Sequence, residues 1–278
     1  MKRIVSDRPD GEGPRYRARI PGVSPENSEV FREPHRIRGA EADGSGRLSP
    51  RAACELMQEA AARHASALGV GYDELVARGL AWVLVQWTLS VTRWPLWRED
   101  VLVETWPCDR TERTAARDFL LLDAAGGELA RAESVWLILD LGKRRPVRLP
   151  EEVRTIRPPR GPLGSGTELA RLFPPEPVEE SLDLSVRWAD LDLNGHVSNV
   201  AYVDWVLESV PRDLLRDGRL RSLALSFRSE ARDGARVRVE RGPDPGAPDG
   251  GPAFRHRVAE AGSARELLLA RTAFVPAA

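Results

Sequence analysis

Residues 49 to 69 read SPRAACELMQEAAARHASALG, and the fold class follows from this stretch. Ser49 is placed to cap a helix, Pro50 falls at the first helical position where its missing N–H is no loss, and Gly69 supplies the stop. Ala52, Ala53, Leu56, Met57, Ala60, Ala61 and Leu68 recur at three and four and form one broad apolar stripe. A helix of about 19 residues is roughly 28 Å long, and with so wide a stripe it is made to be wrapped by a sheet. His64 lies on this helix and reads as a satisfied core or flank residue.

The segments C-terminal to the helix supply that sheet. In LAWVLVQWTLSVTR, Val83, Val85, Trp87, Leu89 and Val91 alternate with Leu84, Gln86, Thr88 and Ser90, a period of two with one dry face. DVLVETWPCD, RTAARDFLLLD and ELARAESVWLILDL are further strands, the last two joined by a turn at Ala124 to Gly127. Upstream, FREPHRIR is a short strand carrying His35, which reads as a surface or packing residue. A long helix followed by about four antiparallel strands predicts an α+β fold of the hotdog type.

Composition limits the function classes. The net charge of -1 and pI near 6.5 give no electrostatic reason for a nucleic-acid partner. Of 41 cationic residues only Lys2 and Lys143 are lysines, leaving 39 arginines, which we read as compositional bias. Cys54 and Cys108 are too few and too separated for a disulfide framework, and no closely spaced His/Cys cluster suggests zinc. No metal and no cofactor is expected. Residues 1 to 28 are charged and rich in Gly and Pro, which reads as a mobile leader without a signal-peptide core, and no run reaches membrane-spanning length. A cytoplasmic protein without a membrane partner is the expectation.

Residues 157 to 180 are dense in Pro and Gly and read as a linker. Beyond it the order of the first half returns in shorter form: a strand at 182–188, a helix at 199–209, then strands near 220–229, 235–241, 253–259 and 266–275. An internal repeat is therefore expected, with Ala42-Asp43 set against Ala189-Asp190, an offset of 147. With a slippage of one residue, GSGRLSP in the first copy stands where the second has DLNGHVS and lacks its Asp, Asn and His. The expected organisation is a leader (1–28), an N-terminal hotdog domain shaping a pocket (29–156), the linker (157–180) and a C-terminal hotdog domain holding the chemistry (181–278).

That chemistry centres on RWADLDLNGHVSNVAYVDWVLESVP, residues 187 to 211. Val200, Val203, Val206, Leu207 and Val210 have helical spacing, Ser198 or Asn199 is placed as N-cap, and Pro211 closes the far end. Asp192, Asn194 and His196 thus stand at a helix mouth, where backbone amides favour an oxyanion. A D-x-N-x-H string by itself serves turn and capping chemistry as readily as catalysis.

The longer string resembles the signature of the acyl-acyl-carrier-protein (acyl-ACP) thioesterases, roughly D-x-N-x-H-x-N-N-x-x-Y-x-x-W-x-x-E. Asp192, Asn194, His196, Asn199, Tyr202, Trp205 and Glu208 match it, and Ser198 stands in place of the first paired asparagine. LAWVLVQWT and ESVWLIL resemble the family's first-half segments. The resemblance also requires a glutamate downstream, which LALSFRSEARDG supplies as Glu230, 34 residues after His196 (230 minus 196). Ala231 follows where the plant enzymes usually carry cysteine, so a Cys–His mechanism is excluded at that position.

The family implies hydrolysis of fatty acyl-ACP, with an acyl carrier protein as partner and two fused hotdog halves. In this reading Glu230 activates water, its basicity raised by partial desolvation. His196 and Asn194 orient the thioester or the water, Asp192 fixes the imidazole tautomer, and the 199–209 helix start holds the oxyanion. Direct attack by the carboxylate is the main variant. Glu208 reads as structural, and Asp190 competes with Asp192 if the turn register differs. Lys143, Arg144, Arg145 and Arg148 are either a solvated loop or a patch that attracts the acidic carrier. Chain length and oligomeric state stay open, a homodimer being one option. So do two other readings on the same fold, an acyl-thioester hydratase or dehydratase and a non-catalytic acyl-thioester binder.

Overall fold

The structure is a computed structural model, and it describes residues 29–163, 171–216, 219–246, 251–263 and 265–275. The expected leader, residues 1 to 28, and the middle of the expected linker lie outside the described residues.

In the first half, strand β1 (Phe31–Arg36) leads through a 3-10 turn (Gly39–Glu41) to helix α1 (Pro50–Ala67) and the short α2 (Tyr72–Val76). Strands β2 (Leu80–Val91), β3 (Asp100–Arg110), β4 (Thr114–Asp123) and β5 (Glu128–Asp140) come next, then β6 (Arg145–Val147) and α3 (Glu151–Arg154). The second half repeats the order: β7 (Glu180–Ser185), a 3-10 turn (Trp188–Asp190), α4 (Ala201–Glu208), α5 (Arg212–Arg216), then β8 (Arg219–Phe227), β9 (Arg236–Pro243), β10 (Ala253–Glu260) and β11 (Glu266–Val275).

All strands join one antiparallel sheet in the order β1-β3-β4-β5-β2-β8-β11-β10-β9-β7, with β6 added on β5. Read outward from its middle, each half has the same order, and the seam is β2 against β8, where Thr88 faces Ala224 and Leu89 faces Leu223. This is the expected α+β architecture, two hotdog units back to back. No helix among the described residues is long and apolar enough to cross a membrane.

Helix α1 forms for the reasons read from its sequence. Ser49 Oγ accepts from the Ala52 amide at 3.2 Å and Pro50 opens the first turn. Ala52, Ala53, Met57, Ala60 and Ala61 are buried, and their small side chains let the helix lie close on the sheet. Cys54 and His64 share this buried face, and Cys54 and Cys108 are both free, buried thiols. One core runs from α1 through the sheet to Val203 and Val206 of α4, and Arg51 of α1 reaches Asp204 of α4 at 2.6 Å.

Strand β2 departs from strict alternation. Its pairing with β5 shifts register between Leu84 and Gln86, so the dry face passes from Leu84 to Trp87 and Leu89, while Val83 and Val85 stay half-buried. One extra residue in a strand reverses the parity of everything beyond it.

The repeat also differs from the expected alignment. Asp43 Oδ1 accepts from the amides of Ser45 (2.8 Å) and Arg47 (3.3 Å), as Asp192 Oδ1 does from Asn194 (2.8 Å) and His196 (3.1 Å). Gly46 and Gly195 have φ of 75° and 72°, and the Arg38–Glu41 pair recurs as Arg187–Asp190. Leu48 N–H donates to Pro95 O as Val197 N–H donates to Ala231 O. The offset in this segment is therefore 149 (192 minus 43), not 147. The first copy retains its aspartate after all, and replaces Asn194 by Ser45 and His196 by Arg47.

Each half buries a histidine. His64 Nδ1 accepts from Arg117 Nη1 at 3.0 Å. In the second half His256 lies between Ser209 Oγ (3.1 Å) and Thr272 Oγ1 (2.9 Å), and Arg241 Nε donates to Ser209 O at 2.7 Å. Burial, and then the neighbouring guanidinium, pushes both imidazoles down to about 3. Burial alone would raise Glu41, but hydrogen bonds from Arg38 and His35 outweigh it and hold the carboxyl at about 2.

Between pH 6.5 and 3 the unfolded chain therefore takes up protons that the folded imidazoles refuse, so this contribution to stability is complete above 6.5 and declines on acidification. Glu41 adds a further loss from 4.5 downward. Urea midpoints should hold level from pH 7.5 to about 6.5 and then fall toward pH 4.5, less steeply for His256→Gln. Equal slopes for the two proteins would remove His256 from this account.

Candidate active site

The turn-rich string before α4 folds as a closed loop. Leu191 bridges to Val197, Ser198 N–H donates to Asp190 O at 2.8 Å, and Asp190 is buried against Arg187. Asp190 and Asp192 are thereby distinguished: the first anchors the loop base and the second organises its tip. With φ of 72°, Gly195 occupies a conformation that a side chain would strain. Leu193 is 95% exposed and Trp188 81% exposed, so both apolar side chains project from this loop into solvent.

Two expectations for this segment are corrected. The Asp192 carboxylate was expected on the imidazole. Its partners among the described residues are the two backbone amides, so it holds the shape of the turn on which His196 stands. The helix start was expected to hold an oxyanion, with Ser198 or Asn199 as cap. Helix α4 instead begins at Ala201 after an uncapped Val200, the Ala201 amide is taken by Ser198 O, and Ala201, Tyr202 and Val203 are buried.

Glu230 lies three residues beyond β8, on a segment clipped from two sides. The Ala231 N–H donates to Tyr202 Oη of α4 at 3.1 Å, and Ala231 O accepts from Val197 N–H at 3.3 Å. The residue after the glutamate is thus tied both to α4 and to the histidine loop, which sets the spacing between Glu230 and His196. His196 Nε2 lies 3.5 Å from Glu230 Oε2. Ala231 is 1% exposed, so its methyl group packs into the core and presents nothing to the site.

The dry surroundings expected for Glu230 are absent. Its side chain is 39% exposed, and its partners are not the adjacent Arg228 and Arg232 but Arg144 of the first half, whose Nη2 donates to Oε2 at 3.1 Å. Arg265 Nη2 donates to the Glu230 carbonyl at 3.0 Å. A second first-half residue also enters: Tyr72 Oη donates to Asn194 Oδ1 at 3.0 Å, which leaves the Asn194 amide nitrogen as that side chain's donor. Sequence reasoning missed Tyr72 and Tyr202 as site residues, although Tyr202 matched the family pattern, and it placed Arg144 only in the candidate carrier-docking patch.

A cavity of about 250 Å³ opens beside Asn194 and runs into the first half. Ala61, Ala62 and Ala65 of α1, Leu75 of α2, and Trp82 and Trp136 of the sheet give it apolar walls, and the Arg117 guanidinium interrupts them. Asn194 is the second-half residue at its wall, so the loop that carries His196 borders a pocket built by the other half. No group of three or more His, Cys, Asp or Glu among the described residues could hold a metal ion.

A carboxylate and an imidazole in contact, on a loop whose amide donor borders an apolar pocket, suit attack by water on a polarised carbonyl whose substituent is a hydrocarbon chain. The family model for the acyl-ACP thioesterase N-terminal domain matches residues 28–156, and that for the C-terminal domain matches residues 175–272. A chloroplastic palmitoyl-acyl carrier protein thioesterase of Cuphea hookeriana is 32% identical over 264 residues, covering 89% of this chain and 62% of the relative. The chain thus spans less than two thirds of that relative's length. An oleoyl-acyl carrier protein thioesterase of Arabidopsis thaliana is 30% identical over 243 residues, covering 81% of this chain and 66% of the relative. Among solved structures, a 12:0-ACP thioesterase from Umbellularia californica superposes with a TM-score of 0.76 at 29% identity, covering 89% of this chain and 97% of that one. An acyl-ACP thioesterase from Bacteroides thetaiotaomicron, 23% identical, covers 91% of this chain and 100% of its own with a TM-score of 0.77, which speaks for the fold.

Proposed function

This chain belongs to the acyl-ACP thioesterase family, and on that premise we propose that it hydrolyses the thioester of fatty acyl-ACP to free fatty acid and holo-ACP. The observation that carries the reading is the convergence of Glu230 and His196, 3.5 Å apart, where His196 shares its loop with Asn194, which lines an apolar cavity of the opposite half.

In the proposed step Glu230 accepts a proton from a water molecule as the water oxygen bonds to the thioester carbon. His196 orients that water, and the Asn194 amide, held by Tyr72, donates to the carbonyl oxygen as charge builds there. The C–S bond then breaks. A thiol has a pKa near 8.5, so the sulfur leaves as thiolate with little help and takes its proton from the protonated carboxyl or from solvent. Asp192 shapes the loop that carries Asn194 and His196.

We assign the acyl-chain pocket to residues 29–156 and the catalytic loop and glutamate to 181–278, joined by 157–180. Carrier docking is proposed on the loop of Lys143, Arg144, Arg145 and Arg148. The Arg144–Glu230 contact supports it by placing this loop at the site. Lys143 and Arg148 pair with Asp140 and Glu112 on the surface, at 3.6 and 2.8 Å, and exposed pairs of this kind exchange readily for an acidic partner. A cytoplasmic compartment belongs to the same proposal and is checked by cell fractionation.

The test is a panel of acyl-ACPs and acyl-CoAs of graded chain length, read by release of free thiol. Hydration of a double bond without thiol, or tight binding without turnover, would instead identify a hydratase or a binder. The cavity makes a further prediction. Ala65→Phe adds a ring to the α1 wall and should move the preferred chain to shorter lengths, with little change in kcat on the shortest substrates. An unchanged preference would place the acyl chain elsewhere.

A further inference from the structure

The repeat that sets Asp43, Ser45 and Arg47 on Asp192, Asn194 and His196 also assigns a counterpart to Glu230. Pro95 and Ala231 accept equivalent amides, so the residue before each, Trp94 and Glu230, occupy equivalent places. Beside this first-copy loop lies a second groove of about 910 Å³, within the range of small-molecule sites. It is the counterpart of the acyl cavity. Asn194 lines the cavity and Ser45 lines the groove, and Gln58 of α1 and its repeat partner Leu207 of α4 do likewise. As in the first site, the mouth comes from one half and the walls largely from the other.

Its chemistry has changed sign. In place of a carboxylate stands Trp94, buried, with its indole N–H donated to Leu220 O at 2.9 Å. In place of the imidazole stands the half-buried guanidinium of Arg47, whose Nη1 donates to Ser45 Oγ at 3.0 Å. The carboxylate–imidazole pair of the first site has no counterpart here. Leu184, Trp205, Leu214, Leu220 and Phe274 keep the walls apolar, and Arg219 adds a cation to the rim beside Arg51 and Arg212, which pair with Asp204 and Glu208. An apolar trough ending at a guanidinium is complementary to a long alkyl chain ending in a carboxylate.

We propose that this groove is a second, non-catalytic site that binds a long-chain fatty acid, the carboxylate on Arg47 and the chain along Trp94 and Trp205. The site is distinct from the hydrolytic one and does not depend on it. Failure of thioester hydrolysis would leave a binding titration readable, because it measures no turnover.

Dodecanoate, kept below its micelle concentration, is titrated calorimetrically into the full chain. Two equivalents per chain are expected. Arg47→Glu should weaken one of them by more than about tenfold, as loss of a charge-assisted contact and gain of a repulsive one would do, and should leave acyl-ACP hydrolysis unchanged. Leu207→Trp, which fills the groove from α4, should remove the same equivalent and keeps the test valid if Arg47→Glu folds poorly. In the wild-type chain a brominated dodecanoate should quench Trp94 and Trp205 in a step separate from Trp82 and Trp136, resolved by Trp94→Phe. No binding to the wild-type chain, or binding undiminished in both Arg47→Glu and Leu207→Trp, would overturn the proposal.

Discussion

Replacing Glu230 with glutamine is expected to lower kcat for thiol release from acyl-ACP by about 10²- to 10⁴-fold, the usual contribution of a positioned general base. The amide is isosteric and can still accept from Arg144, so the fold and the acyl cavity should survive, with an unchanged melting temperature and KM within a few fold. What is lost is the basic oxygen beside His196 Nε2. A variant that keeps more than a tenth of wild-type kcat would show that Glu230 merely closes an ion pair with Arg144. The nucleophile variant of the mechanism is separated by trapping: an anhydride on Glu230 would retain labelled acyl chain on the denatured protein, whereas activation of water leaves none.

Asp192 should respond differently to two substitutions. Asp192→Ala removes the acceptor of both the Asn194 and His196 amides, so the loop loses the bonds that shape its tip. A displacement of about 1 Å in a positioned group costs on the order of 10²-fold in rate, and a loss of that size in kcat is expected. Asp192→Asn keeps an acceptor oxygen in the same place and should retain activity within a few fold. Were the carboxylate acting by charge on the imidazole, the asparagine variant would be as impaired as the alanine variant. The ratio of the two kcat values therefore decides between a turn-shaping and an electrostatic role.

The candidate site was partly legible because some of its determinants are local. Asp192, Asn194 and His196 sit within five residues, and their hydrogen bonds close within the same loop, so residue type and spacing carry the information. Glu230 was legible only through the family's spacing. Its partner is Arg144, 86 residues away, and not the adjacent Arg228 or Arg232. Tyr72 on Asn194 and Tyr202 on the Ala231 amide were hidden for the same reason, since each joins elements that meet only in the folded chain. The bulge in β2 was hidden because an apolar run of Val, Leu and Trp allows either face to be buried until pairing with β5 chooses one. The first-copy loop was misaligned because Ser45 and Arg47 do not resemble Asn194 and His196. Only shared backbone hydrogen bonds expose the equivalence.

By itself the sequence determined the elements whose free energy is settled within a few residues. These are helix α1 with its Ser49 cap and apolar stripe, the Gly195 turn, and the succession of strands that makes two hotdog units. Only the tertiary structure decided that β2 and β8 form the seam, that first-half residues reach Asn194 and Glu230, and which aspartate does what. The reason is physical. Caps and turns depend on contacts between near neighbours, whereas long-range pairing depends on many weak contacts summed against the entropy of closing long loops, and no short stretch of sequence records that sum.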